Sequence, residues 1–452
     1  MANRLLSVGP LVALCAGLLL AQARPLCAQS DLEKMQKLNP RMPQPIELDA
    51  ERIEAQGIAA VGGEHLTLYS DLRDEPRCRE LVAAFDAAVP QWAEFFGIPK
   101  SQLKFWRLTG FLVQDKEKFK AAGLWPASLP EFPAGYNTGH HFWLFPQEGN
   151  YYTRHLLLHE GTHAFMQWYL GGSGPPWYSE GMAEWLSLHR WSAESLELKA
   201  RIMDRNEADF WGRPKKIREA IKAGRVLRLD ELFDFPNSAF RDVESYAWAW
   251  AGCEFFSRHP LSANEFARLP KSAEDMSPKF SSGFKRKLKK DWSQLEFDWQ
   301  QFIHELDYGI VSDRVALRPA ESTTENGTQL VKLDSQWGWQ NSGIQVGAGE
   351  TKKIDARGRF QIRAGEPAWP CEANGITIEY YRGRPLGELM VAVLPENLGT
   401  AGPLQPIPVG AGKEVIFEQA GTLLFKVNES PVWLEDNQGQ LEIRVRSAGS
   451  SR

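Results

Sequence analysis

The chain has 452 residues, 43% of them hydrophobic and 24% charged, with a formal net charge of −5. That length is more than one hydrophobic core usually serves, so two domains are expected, and the composition excludes collagen, coiled coil and wholesale disorder. The mild acidity leaves no electrostatic case for nucleic acid.

Residues 1–28 read as a secretory signal peptide. Arg4 is the charged start, residues 5–20 the apolar run, and Ala21-Gln22-Ala23 or Leu26-Cys27-Ala28 the cleavage site. An uncleaved anchor is the alternative, because the run is close to the lower limit for a membrane span. Cleavage predicts a secreted or periplasmic protein with no later membrane span. It removes Arg4 and Arg24 and no acid, so the charge moves from −5 to −7. Cys78, Cys253 and Cys371 then remain; an odd number so far apart makes no disulfide framework and reads as small buried hydrophobes.

Residues 29–60 are polar and proline-interrupted, a loosely ordered lead-in. From residue 61 strands and helices mix. Residues 65–70 alternate like a strand, 75–96 carry apolar side chains at helical spacing, 103–108 and 110–113 read as strands, and 116–122 as a short helix. Residues 135–145 suggest a turn entering another strand, with His140 and His141 exposed in the turn.

The next helix contains His155-Leu156-Leu157-Leu158-His159-Glu160-Gly161-Thr162-His163. Within it, H-E-x-x-H sets His159 and His163 about 40° apart around the axis, on one face. Two imidazoles so placed can share one Zn²⁺, and Glu160 lies beside them to take a proton from metal-bound water. Apolar neighbours on both sides predict a buried helix, in which polar groups need partners. Gly171-Gly172-Ser173-Gly174-Pro175-Pro176 ends it. Ser179 is the expected N-cap of a second helix, which puts Glu180 in its first turn and Glu184 one turn later. A catalytic zinc takes three protein ligands and keeps one position open. Glu180 is the candidate third ligand and Glu184 the acceptor for the far N–H of His159. A chance motif, or a degenerate site that keeps ligands without a substrate, are the alternatives. His155 reads as a packing neighbour.

H-E-x-x-H followed by W-x-x-E-G-x-A-E resembles the gluzincin metallopeptidases. In that clan the glutamate before the glycine is the third ligand, and an acid four positions later supports a ligand histidine. The resemblance also implies an edge strand just before the zinc helix that pairs with extended peptide, assigned to residues 141–145. It further implies a downstream tyrosine or histidine that steadies the oxyanion. Tyr246, near the start of the aromatic, alanine-rich segment 244–256, fits that role; a core tyrosine is the alternative. Residues 192–235 read as helices with a charged face and 285–308 as a last amphipathic helix. Residues 60–310 are similar to a secreted bacterial family of gluzincin-like domains. The metallopeptidase domain is set at 61–312, and the implied function is hydrolysis of a peptide or protein substrate by zinc-activated water with Glu160 as general base.

Residues 313–328 read as a linker, and 329–448 as an all-β sandwich of short alternating runs cut by glycine. Trp339 with Ser342-Gly343-Ile344, Pro385-Leu386-Gly387-Glu388-Leu389, Val427-Asn428-Glu429 and Asp436-Asn437-x-Gly439 resembles the bacterial galactophilic lectin fold. That resemblance implies Ca²⁺ held by Glu429, Asp436 and Asn437, oxygen ligands of the kind it prefers, and a glycan partner. This chain has Glu429 where the family has aspartate and Trp433 at a threonine position. A hairpin end with an Asp-Asn turn and no ion is the alternative. The expected fold class is therefore α+β: a gluzincin-like zinc peptidase domain, with mixed strands and helices first and helices after, then a β-sandwich. The rival function is an extracellular carbohydrate- or partner-binding protein on an inert peptidase-like scaffold.

Overall fold

The computed structural model describes residues 45–192, 195–363 and 369–448. The signal peptide and the first part of the lead-in lie outside them. Among the described residues helices and strands mix in an α+β arrangement. Contacts divide the chain into two compact units. The first runs to Phe145 and adds Ala164–Gly172; the second is Pro146–His163 with everything from Ser173 onward.

The first unit is built on one sheet of β1 (Ala59–Gly62), β2 (Leu66–Ser70), β3 (Leu108–Leu112), β4 (Gly135–Asn137) and β5 (His141–Leu144), in the order β1-β2-β3-β5-β4. β2, β3 and β5 are parallel, with an antiparallel strand at each edge. A parallel centre needs cover on both faces, and successive side chains supply it. Phe142 stacks towards Phe85 with centroids 6.4 Å apart, while Trp143 stacks on Phe111 at 5.3 Å, in a cluster with Ile53, Val113, Phe119 and Leu124. At Gly110 a Cβ would come within 2.2 Å of the Phe142 ring, so only glycine lets that ring settle on β3.

Helix α1 (Ala50–Ala55), capped by Asp49, buries Ile53, and Ile58 joins the same cluster. The second half of the expected loose lead-in is thus ordered, because Ile53 and Ile58, with Ile46 packed against them, fill a sheet face. Helix α2 (Glu75–Phe96) starts at the Asp74 cap and ends at Gly97, whose φ of 69° closes the last turn. Of residues 103–108, expected as strand, 104–107 are instead the turn between α3 (Lys100–Leu103) and β3, which begins at Leu108; Phe105 is exposed and Trp106 buried. Helix α4 (Lys116–Ala121) follows β3.

β5 is not an edge strand. β3 and β4 occupy its two sides, so residues 141–145 have no free backbone edge for a peptide, and the edge belongs to β4. Nor is His141 an exposed turn residue. It is buried on β5, its Nε2 accepts from the Ile46 N–H at 2.9 Å, and burial pushes its pKa down to about 4.

The second unit opens with the part of α5 (Asn150–Leu170) that ends at His163. There follow α6 (Pro176–Leu186), a hairpin of β6 (His189–Ser192) and β7 (Ser195–Leu198), α7 (Arg213–Lys222), α8 (Leu229–Phe233), α9 (Val243–Arg258), α10 (Ala263–Phe266), α11 (Pro278–Lys287) and α12 (Trp292–Glu305). The hairpin stands where only helices were expected. The single helix expected over 285–308 is divided between α11 and α12, with Leu288 and Asp291 as the flanking caps. Helices α6 and α9 touch backbone to backbone: a Cβ on Gly181 would lie 2.4 Å from the Ala249 carbonyl oxygen and 2.6 Å from Cys253 Sγ. Cys78, Cys253 and Cys371 are free and buried, as their spacing suggested.

Residues from 318 form the sandwich. Two strands, Arg318–Pro319 and Glu321–Glu325, occupy the expected linker. The second is exposed along its whole length, so its sequence carries no apolar alternation. Between the sheets, Val331, Leu333, Ile354, Ile443 and Val445 meet Leu389, Val391, Leu423, Phe425 and Val427. Strand Arg384–Leu394 is covered on its other face too, where Met390, Ala392 and Leu394 pack with Phe297 of α12. That two-sided burial explains the unbroken apolar run from residue 389 to 394. Beside it, His259 Nε2 lies 3.1 Å from Asp298 Oδ2, both fully buried, and Asp298 Oδ1 accepts from the Leu317 N–H at 3.1 Å. No helix among the described residues is long and apolar enough to cross a membrane.

Candidate metal centre

Helix α5 presents His159 and His163 from one face with their Nε2 atoms 3.2 Å apart. Gly171 and Gly174, at φ of 74° and 73°, turn the chain back. Helix α6 then brings Glu180 Oε2 to 3.2 Å from His159 Nε2 and 3.3 Å from His163 Nε2. A tetrahedral ion with bonds of about 2.0–2.1 Å separates its ligand atoms by about 3.4 Å. The three donors thus already stand near the edge lengths such an ion requires. Both imidazoles aim ring nitrogens at one point beside a carboxylate, so the donor chemistry fits zinc as well.

Ser179 does not cap α6. The helix begins at Pro176 with Pro175 as its N-cap and no side-chain cap bond, which sets Glu180 in the second turn. The Ser179 hydroxyl is instead buried against the site. It donates to Ser173 Oγ at 2.9 Å and lies 3.2 Å from His163 Nδ1. With its proton on Nδ1, shared with the Ser179 hydroxyl, the His163 ring would leave its Nε2 lone pair for a cation. Ser179→Ala is expected to weaken zinc binding about 10–100-fold, the usual cost of losing such a partner. Chelator competition measures it, and unchanged affinity would contradict this role.

Glu184, one turn beyond Glu180, is fully buried. Its Oε1 lies 3.4 Å from His159 Nδ1, within ion-pair range though not aligned as a hydrogen bond. Arg213 grips the same carboxylate with two bonds of 2.9 Å, from Nε to Oε2 and from Nη2 to Oε1. Trp211 Nε1 donates to Oε2 at 3.3 Å, and His155 Nε2 lies 3.3 Å from that atom. His155 is therefore a bonded neighbour of Glu184 and not a member of the His159–His163–Glu180 triangle. Burial pushes the Glu184 carboxyl up, but Arg213 and then His155 outweigh it and hold it well below the usual range. For Glu180, burial is likewise outweighed, by His163 and His159, which hold the carboxyl at about 2. His159 lies between these two anions, one at each nitrogen, and their field outweighs burial to draw its ring towards the cationic form. The same field attracts a divalent cation.

Glu160 is buried beside the triangle; burial raises its pKa, against the pull of His159 and His163. Tyr246, near the start of α9, has its ring centroid 6.0 Å from that of His159 and 6.0 Å from the Arg213 guanidinium carbon. Burial and then the charges of Glu180, Glu160 and Glu184 push its phenol pKa up, so the hydroxyl keeps its proton and remains a donor.

In the sandwich, Glu429 and Asn437 come together, but Glu429 Oε2 meets the amide nitrogen of Asn437, at 2.7 Å, and not its oxygen. The same nitrogen donates to the Ser335 carbonyl at 3.0 Å, which fixes the amide orientation. Burial first, opposed by Asn437 and supported by Asp436, pushes the Glu429 carboxyl up to about 8. Asp436 ends a short 3-10 turn, Leu434–Asp436.

Sequence reasoning missed Arg213 and Ser179. Arg213 sits in Arg213-Pro214-Lys215-Lys216, whose charge reads as solvent face, although proline at the start of a helix is a usable signal. Ser179 precedes a helical run and so mimics a cap.

No protein-family model and no curated protein sequence matches the chain. Among solved structures it is similar to a domain described as "EclA N-terminal domain; PllA-like lectin", with 22% identity over 26% of this chain and 94% of that chain and a TM-score of 0.21.

Proposed function

We propose that the protein is a secreted zinc-dependent metallopeptidase of the gluzincin type. The observation that carries this reading is the triangle of His159 Nε2, His163 Nε2 and Glu180 Oε2, with every side between 3.2 and 3.3 Å. His159, His163 and Glu180 would hold the ion, and Glu184 would orient His159. Zinc in such a site supplies Lewis acidity and lowers the pKa of water to about 7.

Glu160 accepts the proton of the attacking water as its oxygen bonds to the peptide carbonyl carbon. Glu160 then delivers that proton to the amide nitrogen, which leaves as the amine when the C–N bond breaks. Tyr246 donates a hydrogen bond to the carbonyl oxygen as negative charge builds there. Burial of Glu160 and the low local dielectric strengthen both interactions.

Treatment with a zinc chelator followed by desalting is expected to abolish cleavage of a peptide pool, and added Zn²⁺ to restore it. Full activity of the metal-free protein would overturn the proposal.

A further inference from the structure

Two groups of side chains among the described residues gather donor atoms within 4.8 Å of one another: His159–His163–Glu180, and His155–His159–Glu184. They share His159, which offers Nε2 to the first and Nδ1 to the second. The inner group has the chemistry of a divalent-cation site in its own right: two imidazoles and a carboxylate, all fully buried. What distinguishes it is Arg213. The guanidinium donates to both oxygens of Glu184 at 2.9 Å and to the Trp211 carbonyl at 3.1 Å. Its Nη2 also lies 3.3 Å from the Tyr152 hydroxyl. Arg213 is 3% exposed and enters from the first turn of α7, behind its left-handed Gly212 cap.

We propose that Arg213 occupies the place of a second cation and so holds this latent inner metal site closed, making the centre mononuclear. A buried carboxylate needs a compensating positive charge, and a guanidinium supplies one in fixed, two-pronged geometry. With that charge in place, a divalent ion on His155, His159 and Glu184 would face a like charge within a few ångströms in a dry interior. Without it, Glu184 loses its two-pronged partner, and a cation that displaces the His159 Nδ1 proton to solvent can take the place of the guanidinium beside Glu184 and His155. The inference rests on the proposed zinc centre, with which the inner group shares His159.

The experiment is zinc stoichiometry by equilibrium dialysis with Zn²⁺ alone, on wild type, Arg213→Ala and Arg213→Lys. Arg213→Ala is expected to hold one more ion per chain than wild type, and Arg213→Lys the same number as wild type. Equal numbers in wild type and Arg213→Ala would overturn the inference. If the alanine variant does not fold, Arg213→Met replaces it and keeps a hydrocarbon stem of similar length. Wild type holding no ion would defeat the functional proposal, and the difference between variant and wild type would still decide the role of Arg213.

Discussion

Glu160→Gln is expected to keep its zinc and lose peptide cleavage by about 10²–10⁴-fold, the range for removing a general base. The amide is nearly isosteric with the carboxylate, so the buried helix around it should stay packed. It cannot accept a proton, and the step in which water loses one while attacking the carbonyl has no other acceptor assigned. Glu160 contributes no atom to the triangle of His159, His163 and Glu180, so metal content should stay unchanged. That separation of metal from turnover is the signature to look for. A glutamine variant that cleaves as fast as the parent would remove Glu160 from the mechanism while leaving the metal site intact.

Gly181→Ala is expected to cost about 3 kcal/mol of stability, the upper part of the range for overpacking, and to weaken zinc binding along with it. The added Cβ would sit 2.4 Å from the carbonyl oxygen of Ala249 and 2.6 Å from Cys253 Sγ. Neither neighbour can retreat easily, since one is helix backbone and the other a fully buried side chain. The remaining response is for α6 and α9 to separate. Helix α6 carries Glu180 and Glu184, and α9 carries Tyr246, so the separation loosens three of the proposed site residues together. A denaturant midpoint and a zinc affinity measured on the same sample check both halves. An alanine variant with parental stability would show that the helices do not press on each other here.

How legible the chain was depended on how local each constraint is. His159, His163, Glu180 and Glu184 lie within twenty-six residues, on two helices whose spacing alone sets which side chains share a face. Their convergence could be read before any coordinates. The partners that hold them were not legible in the same way. Arg213 reaches Glu184 from twenty-nine positions downstream, and nothing in Arg213-Pro214-Lys215-Lys216 separates a buried guanidinium from a solvated one. Ser179 satisfied the pattern of a cap while Pro175 and Pro176 already marked the true start.

The sandwich gave the same lesson at the level of strands. The apolar run at 389–394 was legible because both faces of its strand are covered. Strand Glu321–Glu325 was not, because neither face is. His141 misled for a related reason: beside His140 and after a glycine it looks like turn material, whereas it pairs with Thr109 of β3 and its carbonyl accepts from the Thr138 N–H just past β4. For Glu429 and Asn437 the pattern correctly brought the pair together, but which amide atom faces the carboxylate is decided by the Ser335 carbonyl, a hundred residues away.

The central claim is that His159, His163 and Glu180 hold a single zinc ion, and metal content tests it most directly. Elemental analysis of the purified mature protein, wild type beside His159→Ala, is predicted to find one zinc per chain in the first and almost none in the second. Equal zinc in both, or none in a correctly folded wild type, would contradict it.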